Sequence, residues 1–134
     1  MRHSNSLGFF SFLLVASMFA EAGCGQSSGE TAALIPVKGK VSFKGQPVTK
    51  GSVRFLADGY GRDASGTLQP DGSFTLSTSK DGDGVVAGEH PVTISGFNKP
   101  LASNRALKKY AAGRTSGLTA EVDAEHTEFN FELR

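Results

Sequence analysis

Tryptophan is missing from this 134-residue chain, cysteine occurs once and methionine twice. A single cysteine excludes an internal disulfide and any zinc site built on several thiolates. A surplus of one charge is missing too. Fourteen Lys and Arg face 13 Asp and Glu, a formal +1, so no global field draws the chain toward nucleic acid and none is expected as a partner. Long apolar runs are scarce. The longest, Leu7 to Ala20 (LGFFSFLLVASMFA), is shorter than the ~20 residues of a spanning helix. Helical periodicity is nearly absent, whereas 17 glycines suit a turn-rich β protein.

What is present begins with targeting. Arg2 and His3 form a short basic start, the apolar run has the length of a signal-peptide core, and Glu21-Ala22-Gly23-Cys24 follows. These residues resemble the bacterial lipobox, in which small residues precede a cysteine that becomes the lipidated new N-terminus. Glu21 departs from the pattern, which expects an aliphatic residue there. The resemblance implies a signal peptide over 1–23 and lipid attachment at Cys24, where two or three acyl chains give stable anchoring. The plainer reading is an ordinary secretory signal that leaves Cys24 as a free thiol. Residues 24–36, polar apart from Leu34 and Ile35, read as the lipidated Cys and a tether reaching about 20 Å.

From Val37 the apolar residues recur with period two, the mark of strands with one buried face. Val37, Val41 and Phe43 form the first set, Val53 and Phe55 the second, Ala64 and Leu68 a third. Phe74 and Leu76, then Val92 and Ile94, then Leu118, Ala120 and Val122, and last Phe129, Phe131 and Leu133 complete seven. Lys44-Gly45-Gln46-Pro47 and Pro70-Asp71-Gly72 supply turn chemistry between them. Seven short strands at this spacing predict an all-β sandwich over 37–134.

Val41-Ser42-Phe43-Lys44-Gly45-Gln46-Pro47-Val48 with Gly51-Ser52-Val53-Arg54-Phe55, Asp71-Gly72-Ser73-Phe74-Thr75-Leu76 and Gly88-Glu89-His90-Pro91-Val92-Thr93-Ile94 together resemble transthyretin-like, carboxypeptidase-regulatory-like domains. His90 stands where that pattern usually has Tyr. The resemblance spans nearly all of 37–134 and implies a seven-stranded prealbumin-like Greek-key β-sandwich, as in small bacterial lipoproteins with this domain, and no assigned activity. Related hydrolases of a purine breakdown product end in Tyr-Arg-Gly-Ser. This chain ends Phe131-Glu132-Leu133-Arg134 and lacks that element.

Site by site, little points to catalysis. His90 shares strand parity with Val92 and Ile94 and should face inward, most simply as a core-edge imidazole bonded to backbone. His126 falls in the turn before the last strand. Asp81-Gly82-Asp83-Gly84 is short of the oxygen ligands and closing Glu of a calcium loop, and reads as a turn. Neither a metal nor a cofactor is expected.

The least ordinary stretch is 97–117. It carries Lys99, Arg105, Lys108, Lys109 and Arg114 and no acidic residue, while the rest of the chain from Cys24 has eight basic and twelve acidic residues. Such asymmetry suits contact with an anionic surface, to which Phe97 and Tyr110 would add apolar contacts. The plainer reading is a long solvated loop with a helical turn near Ala102 to Ala111. The function expected is therefore a non-catalytic binding or structural module. It is exported and lipid-anchored to the bacterial membrane on its periplasmic or cell-surface side, and meets lipid headgroups, an anionic envelope polymer or an envelope protein. An exported carrier of a small apolar ligand is the alternative and requires a cavity; a hydrolase is third.

Overall fold

A computed structural model describes residues 33–57 and 61–134; Cys24, the signal-peptide residues, the tether as far as Ala32, and Tyr60 lie outside the described residues. The chain forms β1 (Leu34–Ile35), β2 (Lys38–Phe43), β3 (Gln46–Pro47), β4 (Ser52–Phe55) and β5 (Ala64–Thr67). It continues with β6 (Ser73–Thr75), β7 (Val85–Val86), β8 (Gly88–Ser95), β9 (Leu118–Val122) and β10 (Glu128–Leu133). Between β8 and β9 lie two 3₁₀ helices, Leu101–Ser103 and Arg105–Ala111, and a single α-turn, α1 (Gly113–Ser116).

The strands form two four-stranded sheets and one two-stranded ribbon. In the first sheet β2 is central, with β10 parallel on one side and β3 and β6 antiparallel on the other. The second runs β5-β4-β8-β9, all antiparallel. β5 also touches the residues just after β6 through a Ser65–Ser77 bridge, so the β5–β6 hairpin carries the chain from one sheet to the other. Period-two patterning sends Val41, Phe74, Phe131 and Leu133 of the first sheet and Val53, Phe55, Val92, Ile94 and Ala120 of the second into one core. Phe55 is the meeting point, with its ring 6.5 Å from Phe74 and 6.2 Å from Phe131. The all-β architecture expected from the alternation is present.

The structure adds detail that the alternation does not contain. Three two-residue strands, β1, β3 and β7, join the seven stretches read from the pattern. β1 pairs with β7, Leu34 opposite Val86 and Ile35 opposite Val85, so the folded domain begins inside the stretch expected to be tether. The reason is burial: Ile35 packs on the core, and Gly84 passes so close to the Ile35 carbonyl that no side chain would fit there. At the β2–β3 hairpin, Lys44 (φ 49) and Gly45 (φ 80) both have positive φ, as a two-residue type I′ loop requires. Gly39 of β2 faces Phe129 of β10, and a Cβ at Gly39 would lie 1.8 Å from the Phe129 carbonyl oxygen. The first and last long strands can lie side by side only because that side chain is absent.

Candidate functional site

The segment between β8 and β9 is folded onto the domain. From Leu101 to Ser116 burial recurs at every third residue: Leu101 and Asn104 are half-buried, Leu107 and Tyr110 buried, Gly113 half-buried and Ser116 buried, with exposed residues between. Three residues per turn is the repeat of a 3₁₀ helix, in which side chains at i and i+3 eclipse. In Arg105–Ala111, Leu107 and Tyr110 therefore share the inward row, while Arg105, Lys108 and Ala111 form another.

Side chains fix the ends. The Asn104 Oδ1 accepts a hydrogen bond from the Ala106 amide at 3.0 Å, capping the second 3₁₀ helix. Thr115 Oγ1 donates to the Lys109 carbonyl at 2.6 Å, and Gly117 in the left-handed region (φ 66) closes α1. Gly113 sits against Leu56 and Pro91. The Tyr110 hydroxyl accepts from the Arg134 amide at 3.0 Å and lies 3.4 Å from the Arg134 carbonyl, to which it donates. Tyr110 is thus a core residue, only 4% exposed. This corrects its expected part in surface contact: its ring and hydroxyl are used up in joining the segment to the end of β10.

Lys99, Arg105, Lys108, Lys109 and Arg114 are all exposed. Arg105, Lys108 and Lys109 stand within one 3₁₀ helix, Lys99 precedes the first helical turn across a cis Lys99–Pro100 bond, and Arg114 lies in α1. The Lys109 ammonium lies 5.0 Å from the centre of the Tyr110 ring, within cation–π range. The ion pairs among the described residues are Arg54–Asp63 and His126–Asp123, so none of the five cations is neutralised by a described carboxylate.

Beside them lies an open recess of about 260 Å³, lined by Phe97, Leu101, Leu107, Lys108 and Ala111 with small residues between. Sequence reasoning missed these apolar residues as a group. Spaced four, six and four apart, Phe97, Leu101, Leu107 and Ala111 follow neither the period of two nor that of 3.6 by which strands and helices are recognised. A second recess, about 460 Å³, lies along the β5–β6 hairpin and is lined mostly by hydroxyls, among them Ser65, Thr67, Ser73 and Thr75.

The other expected sites resolve into structural roles. His90 is buried, with Nδ1 2.9 Å from the Leu56 carbonyl and Nε2 2.7 Å from the Val86 carbonyl. Its ring lies between the two backbone carbonyls, and the nitrogen that carries the proton donates to one of them. The Asp83 carboxylate accepts the amides of Thr78, Ser79 and Lys80 at 2.6, 2.9 and 2.7 Å. Those amide bonds, the Thr78 one foremost, hold its carboxyl below the usual carboxylate range. Its oxygens close the 78–84 turn on itself. His126 Nδ1 lies 2.8 Å from Asp123 Oδ2, and that hydrogen bond raises the imidazole above its ordinary value and lowers the carboxyl. No group of three His, Cys, Asp or Glu able to hold a metal ion occurs among the described residues.

No helix among the described residues is long and apolar enough to cross a membrane. No family model matches the sequence, and no curated protein does. Among solved structures, the chain is similar to a DUF3823 family protein from Parabacteroides merdae ATCC 43184, at 22% identity and a TM-score of 0.48. The similarity covers 76% of this chain, and the chain spans 46% of that protein's length.

Proposed function

We propose that this chain is an exported bacterial lipoprotein, anchored through acyl chains on Cys24, whose domain presents the 97–117 segment to an anionic envelope surface. The role is binding, not catalysis. The observation that carries it is the seating of that segment: Leu107 and Tyr110 fix it in the core, so its five exposed cations stand on a firm base without described carboxylate partners. A loop that merely solvates itself has no need of buried anchors. The acyl anchor supplies the proximity that makes modest electrostatic attraction effective.

The domain itself is read as a prealbumin-like Greek key of the transthyretin-like, carboxypeptidase-regulatory-like kind. Seven of the strands suit that reading: β6-β2-β10 in one sheet and β5-β4-β8-β9 in the other, with the last strand returning beside the first. β1, β3 and β7 are then short additions at its edges.

Two measurements test the proposal. The mass of the mature N-terminal peptide from the native host should show a diacylglyceryl adduct on Cys24; an unmodified N-terminus there refutes the anchor. The exported chain from position 24, carrying Cys24→Ser so that it is not acylated, should sediment with phosphatidylglycerol vesicles and not with phosphatidylcholine alone. Each basic residue near an anionic surface contributes about 1 kcal/mol. Lys108→Gln, Lys109→Gln and Arg114→Gln together should therefore weaken binding roughly 100-fold. Unchanged sedimentation of the triple variant removes the charged-surface role.

A further inference from the structure

Two features of the 97–117 segment lie side by side and have complementary chemistry. One is the recess floored by Phe97, Leu101, Leu107 and Ala111. The other is the row of exposed cations, of which Lys108 borders the recess and Arg105 stands one 3₁₀ turn before it. An apolar slot beside cations that no described carboxylate neutralises fits an anionic amphiphile, with hydrocarbon in the slot and the anionic group at its rim.

Size decides the source of that amphiphile. At about 260 Å³ and open to solvent, the recess is smaller than the ~300–1,000 Å³ sites that enclose a whole small molecule. It accommodates part of a chain only, and the remainder must stay in an apolar phase of its own. A lipid that stays in its bilayer meets that condition, whereas a free fatty acid would leave most of its chain in water.

We propose that the recess receives the upper part of an acyl chain of an anionic phospholipid still embedded in its bilayer, with Lys108 and Arg105 on the headgroup phosphate. The inference rests on the charged-surface reading and deepens it. Lys99 and Lys109 add long-range attraction, while the recess sets the depth and orientation of the docked domain. Contact with the membrane is then a partial insertion at one place, not a charge resting on a plane.

The absence of tryptophan makes the test direct. Leu101→Trp puts a single fluorophore at the recess, and Phe97→Trp gives a second reporter should the first disturb folding. Ala124→Trp, in the exposed β9–β10 turn, is the control. Each is made in the exported chain carrying Cys24→Ser and mixed with vesicles whose lipids bear brominated acyl chains. Both recess reporters should lose most of their emission on phosphatidylglycerol-containing vesicles and keep it on phosphatidylcholine alone, with the Ala124→Trp control bright throughout. Adding Arg105→Gln and Lys108→Gln should restore the emission. Sedimentation with phosphatidylglycerol vesicles while both recess reporters stay bright overturns the insertion and leaves the charged surface standing. Equal quenching of the control overturns it as well, because contact is then not local to the recess. Failure to sediment with phosphatidylglycerol vesicles overturns both readings together.

Discussion

Replacing Leu107 by Ala asks whether the basic segment is part of the domain or only attached to it. Leu107 is 1% exposed and sits in the 3₁₀ helix that packs on β8. Truncating a buried Leu to Ala costs about 2–5 kcal/mol, the lower end where the surroundings collapse into the space. This site is walled by a strand on one side and borders an open recess on the other, so partial collapse is expected and about 3 kcal/mol is a reasonable central value. For a domain of about 100 residues that lowers Tm by roughly 15 °C. Tyr110→Phe is the matched control. It keeps the ring and removes the hydroxyl that meets both the amide and the carbonyl of Arg134, at about 1 kcal/mol. Urea unfolding followed by circular dichroism measures both, with the m-value confirming that the same surface is exposed. A loss below about 0.5 kcal/mol for Leu107→Ala, the scatter of ordinary surface substitutions, would show that the segment is a solvated loop. The firm base assumed for the cations would go with it.

Other expectations are more local. Gly39→Ala would set a Cβ against the Phe129 carbonyl, so β10 must shift; a loss of about 1–3 kcal/mol or more is expected on thermal melting, from overpacking, and an unchanged Tm would contradict the close approach. His90→Ala removes a buried ring that lies between the Leu56 and Val86 carbonyls and should cost about 2–3 kcal/mol on thermal melting. Asp83→Asn should lower Tm at neutral pH and abolish one acid-sensitive contribution. The folded carboxyl titrates below its ordinary value of 3.8, so its stabilisation is present above that pH and is lost as pH falls through the depressed value. Millimolar calcium should leave Tm unchanged, because the Asp83 oxygens are already taken by amides; a rise would reveal a metal site by mass action. The His126–Asp123 pair has the opposite window on its basic side. The imidazole is raised above 6.5, so its contribution is full below that pH and fades as pH rises through the raised value; His126→Ala should flatten that part of the Tm–pH curve.

Strands were readable where a stretch of three or more residues alternates against the core, and that covers β2, β4, β5, β6, β8, β9 and β10. The two-residue strands were not, because two residues hold no period. What orders β1 is the distant β7 and the space left by Gly84, a tertiary cause with no local signature. Lys44-Gly45 and Asp71-Gly72 were legible as turns because their chemistry is local; at the second, the Asp71 carboxylate takes the Ser73 amide at 3.0 Å. The five cations were visible as a cluster of charge. Their setting was hidden by the spacing of Leu101, Leu107 and Tyr110, which fits neither a strand nor an α-helix, and by Asn104, a polar residue filling one inward place. Tyr110 illustrates the limit well: from sequence it is an aromatic in a basic loop, and only the return of β10 to its hydroxyl makes it a core residue.

The parallel pairing of β2 with β10 has a consequence for how the chain is made. Lys38 waits for Glu128 and Phe43 for Leu133, so the first long strand to appear has its neighbour at the far end of the chain. Closing that distance costs loop entropy before any contact rewards it. Until β10 is made, β2 keeps one edge bare and the core around Phe55 lacks Phe129 and Phe131. Closure of the first sheet therefore waits for β10. For the export proposed above, a domain that cannot close before β10 is made suits a pore that accepts only unfolded polypeptide.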